Sequence, residues 1–215
     1  MTALSKPIRL TTETLSAAAK TLAARDRHLA SIYRIHGAPP MWARRPGFST
    51  LLRIVLEQQV SLISARAMFE RLRSNIEPFT AERFIEFGEP SLRSLGVTRQ
   101  KAHYCVQVAH AFTNGHLDKI VRMNDEDAHA TLLSIKGVGP WTANIYLLMA
   151  LRRPDIWPDG DVALATAWAN FERLTRALRS PSLRRSPKPG VPIVPLPRGC
   201  CGSIIWRTET VRKFR

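Results

Sequence analysis

Apolar residues with helical spacing recur along most of this chain, and this pattern constrains its fold more than any other feature. Two groups in the segment FSTLLRIVLEQQVSLISARAMFERL follow the helical period: Leu51, Leu52, Val55 and Leu56, and then Ile63, Ala67 and Leu72. The sequence has no alternating strand pattern, no hairpin dipeptide between alternating segments and no long repeat. It therefore predicts an all-α fold.

Typical capping residues predict where several of these helices begin and end. Asp26, Ser61 and Asn124 each precede an apolar-periodic segment, and their side chains can accept hydrogen bonds from the first free N–H groups of a helix. Gly37 and Gly88 follow such segments and are typical of helix ends. The sequence therefore predicts a series of short helices joined by short connections.

The charge of the chain indicates a polyanionic partner. Its 32 Lys and Arg residues exceed the 17 Asp and Glu residues, which gives a formal net charge of +15 and a pI of about 10.9. Such an excess is typical of nucleic-acid-binding proteins. The sequence shows no apolar segment long enough to span a membrane, no signal peptide and no cysteine framework. We therefore expect a cytoplasmic protein that binds nucleic acid and has no membrane partner.

The last forty residues differ from the rest of the chain. From Arg176 onward there are ten Lys and Arg residues and one acidic residue, Glu209. Cys200, Cys201 and six of the 15 prolines also lie there, and no helical period remains. We therefore predict three parts: a helical lead-in over 1–47, a core domain over 48–175 and an irregular, basic, proline-rich tail over 176–215.

The segment from 132 to 168 contains the most informative motif. One predicted helix ends at Ile135, Gly137-Val138-Gly139 forms a turn too tight for side chains, and Pro140 begins the next helix. Such a helix–hairpin–helix presents backbone N–H groups that suit a DNA phosphate without reading sequence. About twenty residues further on, Asp161 begins another apolar helix. Taken singly, the glycines are also consistent with a simple C-cap, and Asp161 with a simple N-cap.

Four blocks together resemble the helix–hairpin–helix (HhH-GPD) DNA glycosylase superfamily, and within it the DNA-3-methyladenine glycosylase II family. They are LLRIVLEQQVS, SLGVTRQKAHY, LLSIKGVGPWTANIYLL and the Pro-Asp-Gly-Asp block that ends at Asp161. The resemblance covers residues 48 to about 172. It implies a two-lobed, all-α fold that needs no nucleotide cofactor and cleaves the N-glycosidic bond of damaged bases in duplex DNA. We also expect a monomer.

The resemblance assigns the catalytic aspartate to Asp161, with Asp159 as the competing candidate. A fixed carboxylate would stabilise the oxocarbenium-like sugar that forms as an alkylated, cationic base departs. Trp141 occupies the position where bifunctional relatives carry a nucleophilic lysine, so no Schiff base can form there and lyase activity is not expected. The indole of Trp141 is equally consistent with stacking on a methylated purine in the base pocket and with packing in the core.

The resemblance also assigns the DNA contacts. Gln59 matches the residue that fills the gap left by the flipped base, although a polar pair that ends a helix is the alternative explanation. The other predicted contacts with DNA are Lys136, Gly137, Val138, Gly139 and Thr142. Lys136 is also consistent with a solvated side chain. The backbone carbonyls of Leu133, Ile135 and Val138 match those that hold a monovalent cation in the superfamily.

Two further groups of residues are weaker candidates. Arg99, Lys101 and His103 follow the Gly96 turn and could contact phosphates, although a solvated helix face is the favoured interpretation. Cys105 is expected in the core rather than as a nucleophile, and the histidines show no metal-ligand spacing.

The resemblance ends near Arg176, where the family continues with a Trp-Arg-Pro-Tyr-Arg-Ser block and a last apolar helix. Codons can be chosen for residues 187–206 that encode this block with a one-base offset, so we hypothesise a shift of reading frame. A DNA-binding protein made inactive by its altered ending is therefore one alternative function. A glycosylase for oxidised or deaminated bases and a helical interaction module are the others.

Overall fold

The computed structural model describes residues 7–167 and 169–170, and within them every regular element is a helix. A 3-10 turn, Ile120–Arg122, precedes α7, and residues 162–167 form a further helical segment. The numbered helices are α1 (Thr12–Arg25), α2 (Arg27–His36), α3 (Phe48–Glu57), α4 (Leu62–Asn75), α5 (Ala81–Ser94), α6 (Arg99–Thr113), α7 (Asp125–Leu133) and α8 (Pro140–Met149). The prediction of an all-α fold is confirmed.

Each predicted N-cap makes the hydrogen bonds that the sequence suggested. Oδ1 of Asp26 accepts from the N–H groups of His28 and Leu29, at 2.7 and 2.9 Å, so Asp26 caps the start of α2. Ser61 accepts from Ser64 N–H at 3.1 Å, and Asn124 accepts from Asp127 N–H at 2.8 Å. These contacts satisfy donors that the helix itself leaves without partners, which fixes where α2, α4 and α7 begin.

Gly88 breaks α5 as expected from its place after an apolar-periodic segment. Its φ of 73° lies in the left-handed region, where a residue without a Cβ avoids a steric penalty. The helical segments before and after it are otherwise continuous from Ala81 to Ser94. Pro90 follows two residues later, where it begins the second segment without removing an internal hydrogen bond.

The main hydrophobic core is built from α3 to α8, and a cluster of phenylalanine rings packs in it. The ring centroid of Phe48 lies 5.2 Å from that of Phe84 and 6.0 Å from that of Phe112, both edge to face. The ring centroids of Phe79 and Phe84 are 5.3 Å apart. Edge-to-face packing places the positive ring edge on the negative ring face, which favours this arrangement over flat stacking. Helix α3 contributes buried residues on nearly all of its sides.

The helix predicted from the spacing of Ile63, Ala67 and Leu72 forms as α4, but only Leu72 of the three is buried. The buried residues of α4 are Ala65, Phe69 and Leu72, whereas Ile63 is 83% exposed and Ala67 is also exposed. Residues 65, 69 and 72 share one helix face, because their spacings of four and three residues approximate one turn. Ile63 and Ala67 are also four residues apart, but they lie on a different face of α4. Helical periodicity alone therefore does not identify the buried face.

The described residues fall into two compact units. The first contains residues 7–10 and Ala43–Asp159, and the second contains Thr11–Trp42 and the described residues from Gly160 onward. In the second unit, α1 and α2 share a small core of Ala19, Leu22 and Leu29. The domain limits at 47/48 and 175/176 stay predictions, and the tail over 176–215 lies outside the described residues. None of the helices between residues 7 and 170 is long and apolar enough to cross a membrane.

Candidate DNA-binding site

The hairpin motif lies between α7 and α8. Residues 134–139 connect the two helices, and Val138 N–H donates to the carbonyl of Ile135 at 3.0 Å, which closes the turn. Pro140 occupies the first turn of α8, and the N-cap residue Gly139 offers no side-chain oxygen to that turn. Ile135 and Val138 are buried, whereas Lys136 is exposed. The turn therefore rests on apolar side chains and directs its backbone and Lys136 outward.

The two glycines of the turn are required for different reasons. Gly137 has a φ of 94°, and a Cβ built on it would overlap the Cβ, Cγ and Cδ1 atoms of Tyr104 on α6. By contrast, Gly139 has a φ of −89°, and apart from its chain neighbours no atom of the described residues lies within 4 Å of a Cβ built on it. The prediction that the whole turn excludes side chains is therefore correct at Gly137 and wrong at Gly139, where the space outside the turn is open.

Gln58 joins the end of α3 to the hairpin. Its Nε2 donates to the carbonyl oxygen of Gly137 at 2.9 Å and to the hydroxyl of Thr142 at 2.8 Å. Thr142 is only 1% exposed, so its hydroxyl is committed to Gln58 and is not available as a direct side-chain contact with DNA. The predicted contribution of Thr142 to DNA binding is thereby limited to its backbone N–H and to its support of Gln58.

Gln59 follows Gln58 in the short connection between α3 and α4. Its side chain is exposed, and its φ of 54° places it in the left-handed region, which a non-glycine residue adopts at a steric cost. Val60, Leu62 and Ile63, which come directly after it, are also exposed although they are apolar. The connection therefore presents one strained glutamine beside a small apolar surface.

An ion cluster around the buried carboxylate of Glu57 holds the end of α3 that leads into this connection. The Glu57 carboxylate accepts from both terminal nitrogens of Arg44, at 3.0 and 3.1 Å, and from Nε of Arg53 at 3.1 Å. Nζ of Lys101 donates to the carbonyl of Leu56 at 2.7 Å, and partial burial lowers the pKa of this lysine. Since the last carbonyls of a helix lack internal partners, the bond from Lys101 also stabilises the C-terminal end of α3.

Trp141 and Asn144 lie on α8 with different surroundings. The indole of Trp141 is half-buried and packs against the main core. Asn144 donates from Nδ2 to the carbonyl of Trp157 at 2.8 Å, which attaches the segment before the Pro-Asp-Gly-Asp block to the second hairpin helix. The exposed side chain of Asp159 comes two residues after that attachment, at the end of the first unit.

Asp161 belongs to the second unit, whereas the hairpin, Gln59 and Trp141 belong to the first. Its Oδ1 accepts from Leu164 N–H at 2.8 Å, and its carbonyl accepts from Ala165 N–H at 2.9 Å. Asp161 is therefore the N-cap of the helix over 162–167, which is the structural role that its position in the sequence also indicated. This bond fixes the orientation of the carboxylate, which is half-exposed.

The sequence pattern of HhH-GPD superfamily base excision DNA repair proteins matches residues 52–184, which is more than half of the chain. The chain belongs to this superfamily. The match extends a few residues beyond the point near Arg176 where the resemblance was expected to end, and it includes the second half of α3, all of α4 to α8 and Asp161.

Relatives of this HhH-GPD protein include named glycosylases. The DNA-3-methyladenine glycosylase of Bacillus subtilis is 31% identical over 147 residues, which are 61% of this chain and 46% of the relative. The chain spans about half the length of the first curated relatives that it matches.

Two solved structures are similar to this HhH-GPD protein. The Schizosaccharomyces pombe 3-methyladenine DNA glycosylase, in complex with abasic DNA, has a TM-score of 0.68 and 23% identity, and the match covers 76% of this chain and 86% of that one. The DNA-3-methyladenine glycosidase of Bacillus halodurans has a TM-score of 0.59 and 26% identity, with coverages of 68% and 70%. At 23% identity, the similarity to the Schizosaccharomyces pombe structure shows the fold alone.

The HhH-GPD site also depends on contacts that sequence reasoning did not predict. Gln58, Asn144 and Lys101 each support the site through a contact between distant parts of the chain. Arg153, which is 1% exposed, donates to the carbonyls of Val121 and Met123 ahead of α7. Gln58 and Asn144 are polar residues within the blocks LLRIVLEQQVS and LLSIKGVGPWTANIYLL, and this position is the sequence signal that indicates a supporting role.

Proposed function

We propose that this chain is a monofunctional DNA glycosylase that flips alkylated purines such as 3-methyladenine out of duplex DNA and hydrolyses the N-glycosidic bond in base excision repair. Membership of the superfamily and the names of the relatives support this activity. The proposal includes a monomer that works in the cytoplasm without a membrane partner.

The observation that carries the proposal is the construction of the hairpin. Tyr104 and Gln58 hold Gly137 from the inner side of the turn, and within residues 7–167 and 169–170 no atom beyond its chain neighbours lies within 4 Å of a Cβ built on Gly139. The first turn of α8 begins there without a side-chain cap. Backbone N–H groups at a helix start favour an anion, so the open side suits a DNA phosphate. Lys136 adds an exposed positive charge to the same turn.

Gln59 is proposed to enter the duplex when the damaged base leaves it. Base flipping costs a few kcal/mol, and an inserted side chain recovers part of this cost. The strained left-handed backbone of Gln59 and its exposed side chain support this role, because such strain is concentrated at functional positions. The apolar surface beside Gln59 suits contact with the unstacked bases.

Asp161 is proposed as the catalytic carboxylate. As the base departs, positive charge develops on the sugar, and a carboxylate held in a fixed orientation stabilises that charge and can orient the attacking water. The hydrogen bond from Leu164 N–H supplies the fixed orientation. With Trp141 at the position of the lysine nucleophile of bifunctional relatives, no covalent intermediate with an amine forms, and the half-buried indole is available for stacking on the base.

A monovalent cation at the hairpin is a further part of the proposal. Leu133 ends α7, where carbonyl groups lack helical partners, and the Ile135 carbonyl retains one lone pair after it accepts from Val138. Carbonyl oxygens of this kind suit a hard cation. Leu133, Ile135 and Val138 would hold such an ion, which would supply positive charge for a phosphate; no nucleotide or other cofactor is required.

The test is release of free 3-methyladenine from methylated duplex DNA by the full chain and by Asp161→Asn. Asparagine keeps the capping oxygen, so this change preserves the helix start while removing the charge. We expect release to fall at least about hundred-fold while duplex binding is unchanged. Asp159→Asn is the matched control and should retain activity.

Three results would contradict parts of the proposal. Unchanged release by Asp161→Asn would remove Asp161 from its catalytic role. Binding of DNA without any base release by the original chain would favour the inactive, DNA-binding alternative. Release of oxidised or deaminated bases instead of methylated ones would change the substrate class.

A further inference from the structure

An open groove lies at the turn between α5 and α6, outside the hairpin. It has a volume of about 590 Å³, and its lining includes Arg93, Ser94, Gly96, Thr98 and Arg99. Thr98 caps α6 by accepting from Lys101 N–H, so the groove contains the first turn of that helix. A helix start carries a partial positive charge, which adds to the charge of the two arginines.

The two arginines of this groove, which we call the Arg93–Arg99 groove, have no counterion among the described residues. Both are exposed, and within residues 7–167 and 169–170 neither guanidinium takes part in an ion pair or hydrogen bond. In the part of the chain that the structure describes, no carboxylate lines the groove, and Glu89, the acidic residue next to it in sequence, pairs with His103 at 2.7 Å. The groove therefore has uncompensated positive charge.

Unlike Arg93 and Arg99, the neighbouring basic side chains make hydrogen bonds or ion pairs within the protein. Lys101 donates to the Leu56 carbonyl, and Arg71 donates from Nη1 to the Leu95 carbonyl at 3.1 Å. His103 holds Glu89. The sequence favoured a solvated helix face for Arg99, Lys101 and His103 together, but only Arg99 among them remains available for an outside partner.

Helix α6 is attached to both proposed DNA-contacting elements of the first unit. Lys101, in the first turn of α6, bonds to Leu56, which lies three residues before Gln59. One turn further along α6, Tyr104 packs against Gly137 of the hairpin. The first two turns of α6 therefore lie beside the Gln59 connection and the hairpin, and the Arg93–Arg99 groove lies at the start of the same helix.

We propose that the Arg93–Arg99 groove binds a backbone phosphate of duplex DNA, as a second anchoring point besides the hairpin. A guanidinium group can donate two parallel hydrogen bonds to one phosphate, and such a contact carries no sequence preference. The proposal rests on DNA being the partner in the proposed function, but it does not depend on catalysis. The groove would fix the direction of the duplex across the first unit.

The experiment measures binding of the full chain to a lesion-free duplex by fluorescence anisotropy at several salt concentrations. Arg93→Gln, Arg99→Gln and the double variant are compared with Arg122→Gln. Arg122 is an exposed arginine before α7, and the nine residues of α7 separate it from the hairpin by roughly 13 Å. All four variants remove charge from exposed side chains, so circular dichroism should show the helix content of the original chain.

We expect the double variant to reduce the magnitude of the slope of log K against log salt by about one, because the two arginines share one phosphate, and each single variant to reduce it by less. Arg122→Gln should retain the original slope. Equal slopes in all variants would overturn the proposal, and so would a complete lack of duplex binding by the original chain. If the slopes change as expected while no methylated base is released, the groove is supported and the glycosylase activity is not.

Discussion

The side-chain amide of Gln58 donates to the carbonyl oxygen of Gly137 at 2.9 Å and thereby joins two segments 79 residues apart in sequence. The same nitrogen reaches the buried hydroxyl of Thr142 at 2.8 Å. One side chain at the end of α3 therefore fixes both the turn and the first turn of α8. Since Gln59 is the next residue, the element proposed to enter DNA and the element proposed to hold its backbone are connected directly.

Gln58→Ala should destabilise the chain and weaken its binding to duplex DNA. The change leaves the Gly137 carbonyl and the Thr142 hydroxyl without their donor, which we expect to lower the free energy of unfolding by about 2 kcal/mol. Urea unfolding followed by circular dichroism measures this effect. Gln107→Ala is the control, because Gln107 on α6 makes no side-chain hydrogen bond within the described residues. Equal losses in the two variants would show that the bridge has no special importance.

Gly137→Ala and Gly139→Ala should separate folding from DNA binding. An alanine at 137 would adopt an unfavourable positive φ and overlap Tyr104, so we expect a loss of about 3 kcal/mol in the free energy of unfolding. An alanine at 139 meets no atom of the described chain beyond its own neighbours and needs no positive φ, so its loss should stay below about 1 kcal/mol.

Of the two variants, Gly139→Ala is the one that tests DNA binding in a folded chain. Gly139→Ala should weaken duplex binding although the variant is folded, because its methyl group occupies the open side proposed for the phosphate. Anisotropy titration with a short duplex measures this effect. Duplex affinity equal to that of the original chain would place the phosphate elsewhere on the surface.

The start and end of most helices could be predicted because capping is local. Asp26, Ser61 and Asn124 act on N–H groups two or three residues away, so their roles can be recognised without knowing the fold. Cys105 was also correctly expected in the core, and burial raises the pKa of its thiol to about 12.

The contacts that assemble the site could not be predicted in the same way. Gln58 and Asn144 were visible as polar residues in recognised blocks, but their partners depend on how separate helices pack. Ile63 follows the helical spacing that predicts α4, yet this spacing does not determine which face of α4 is buried. Local chemistry was thus more predictable than long-range packing.

Glu57→Gln should destabilise the end of α3. The neutral amide cannot compensate the charges of Arg44 and Arg53, which would remain close together and partly buried. We expect a loss of about 2 kcal/mol in the free energy of unfolding. Glu86→Gln is the matched control, since Glu86 pairs with Arg83 in an exposed position, and its loss should stay within about 0.5 kcal/mol. A larger effect at Glu86 than at Glu57 would contradict this assignment.

Alkaline pH should destabilise the chain partly through Cys105. Burial raises the pKa of its thiol from 9.0 to about 12, so the folded state keeps the proton while the unfolded state releases it. The contribution to stability is therefore complete below about pH 9 and is lost as the pH rises from there toward 12. At about pH 10.5 the loss should reach about 2 kcal/mol. Urea unfolding of the original chain and of Cys105→Ala, at about pH 8 and pH 10.5, measures the difference. The alanine variant starts less stable because of its smaller side chain, but it should lose less between the two pH values; an equal loss in both proteins would show that Cys105 does not contribute.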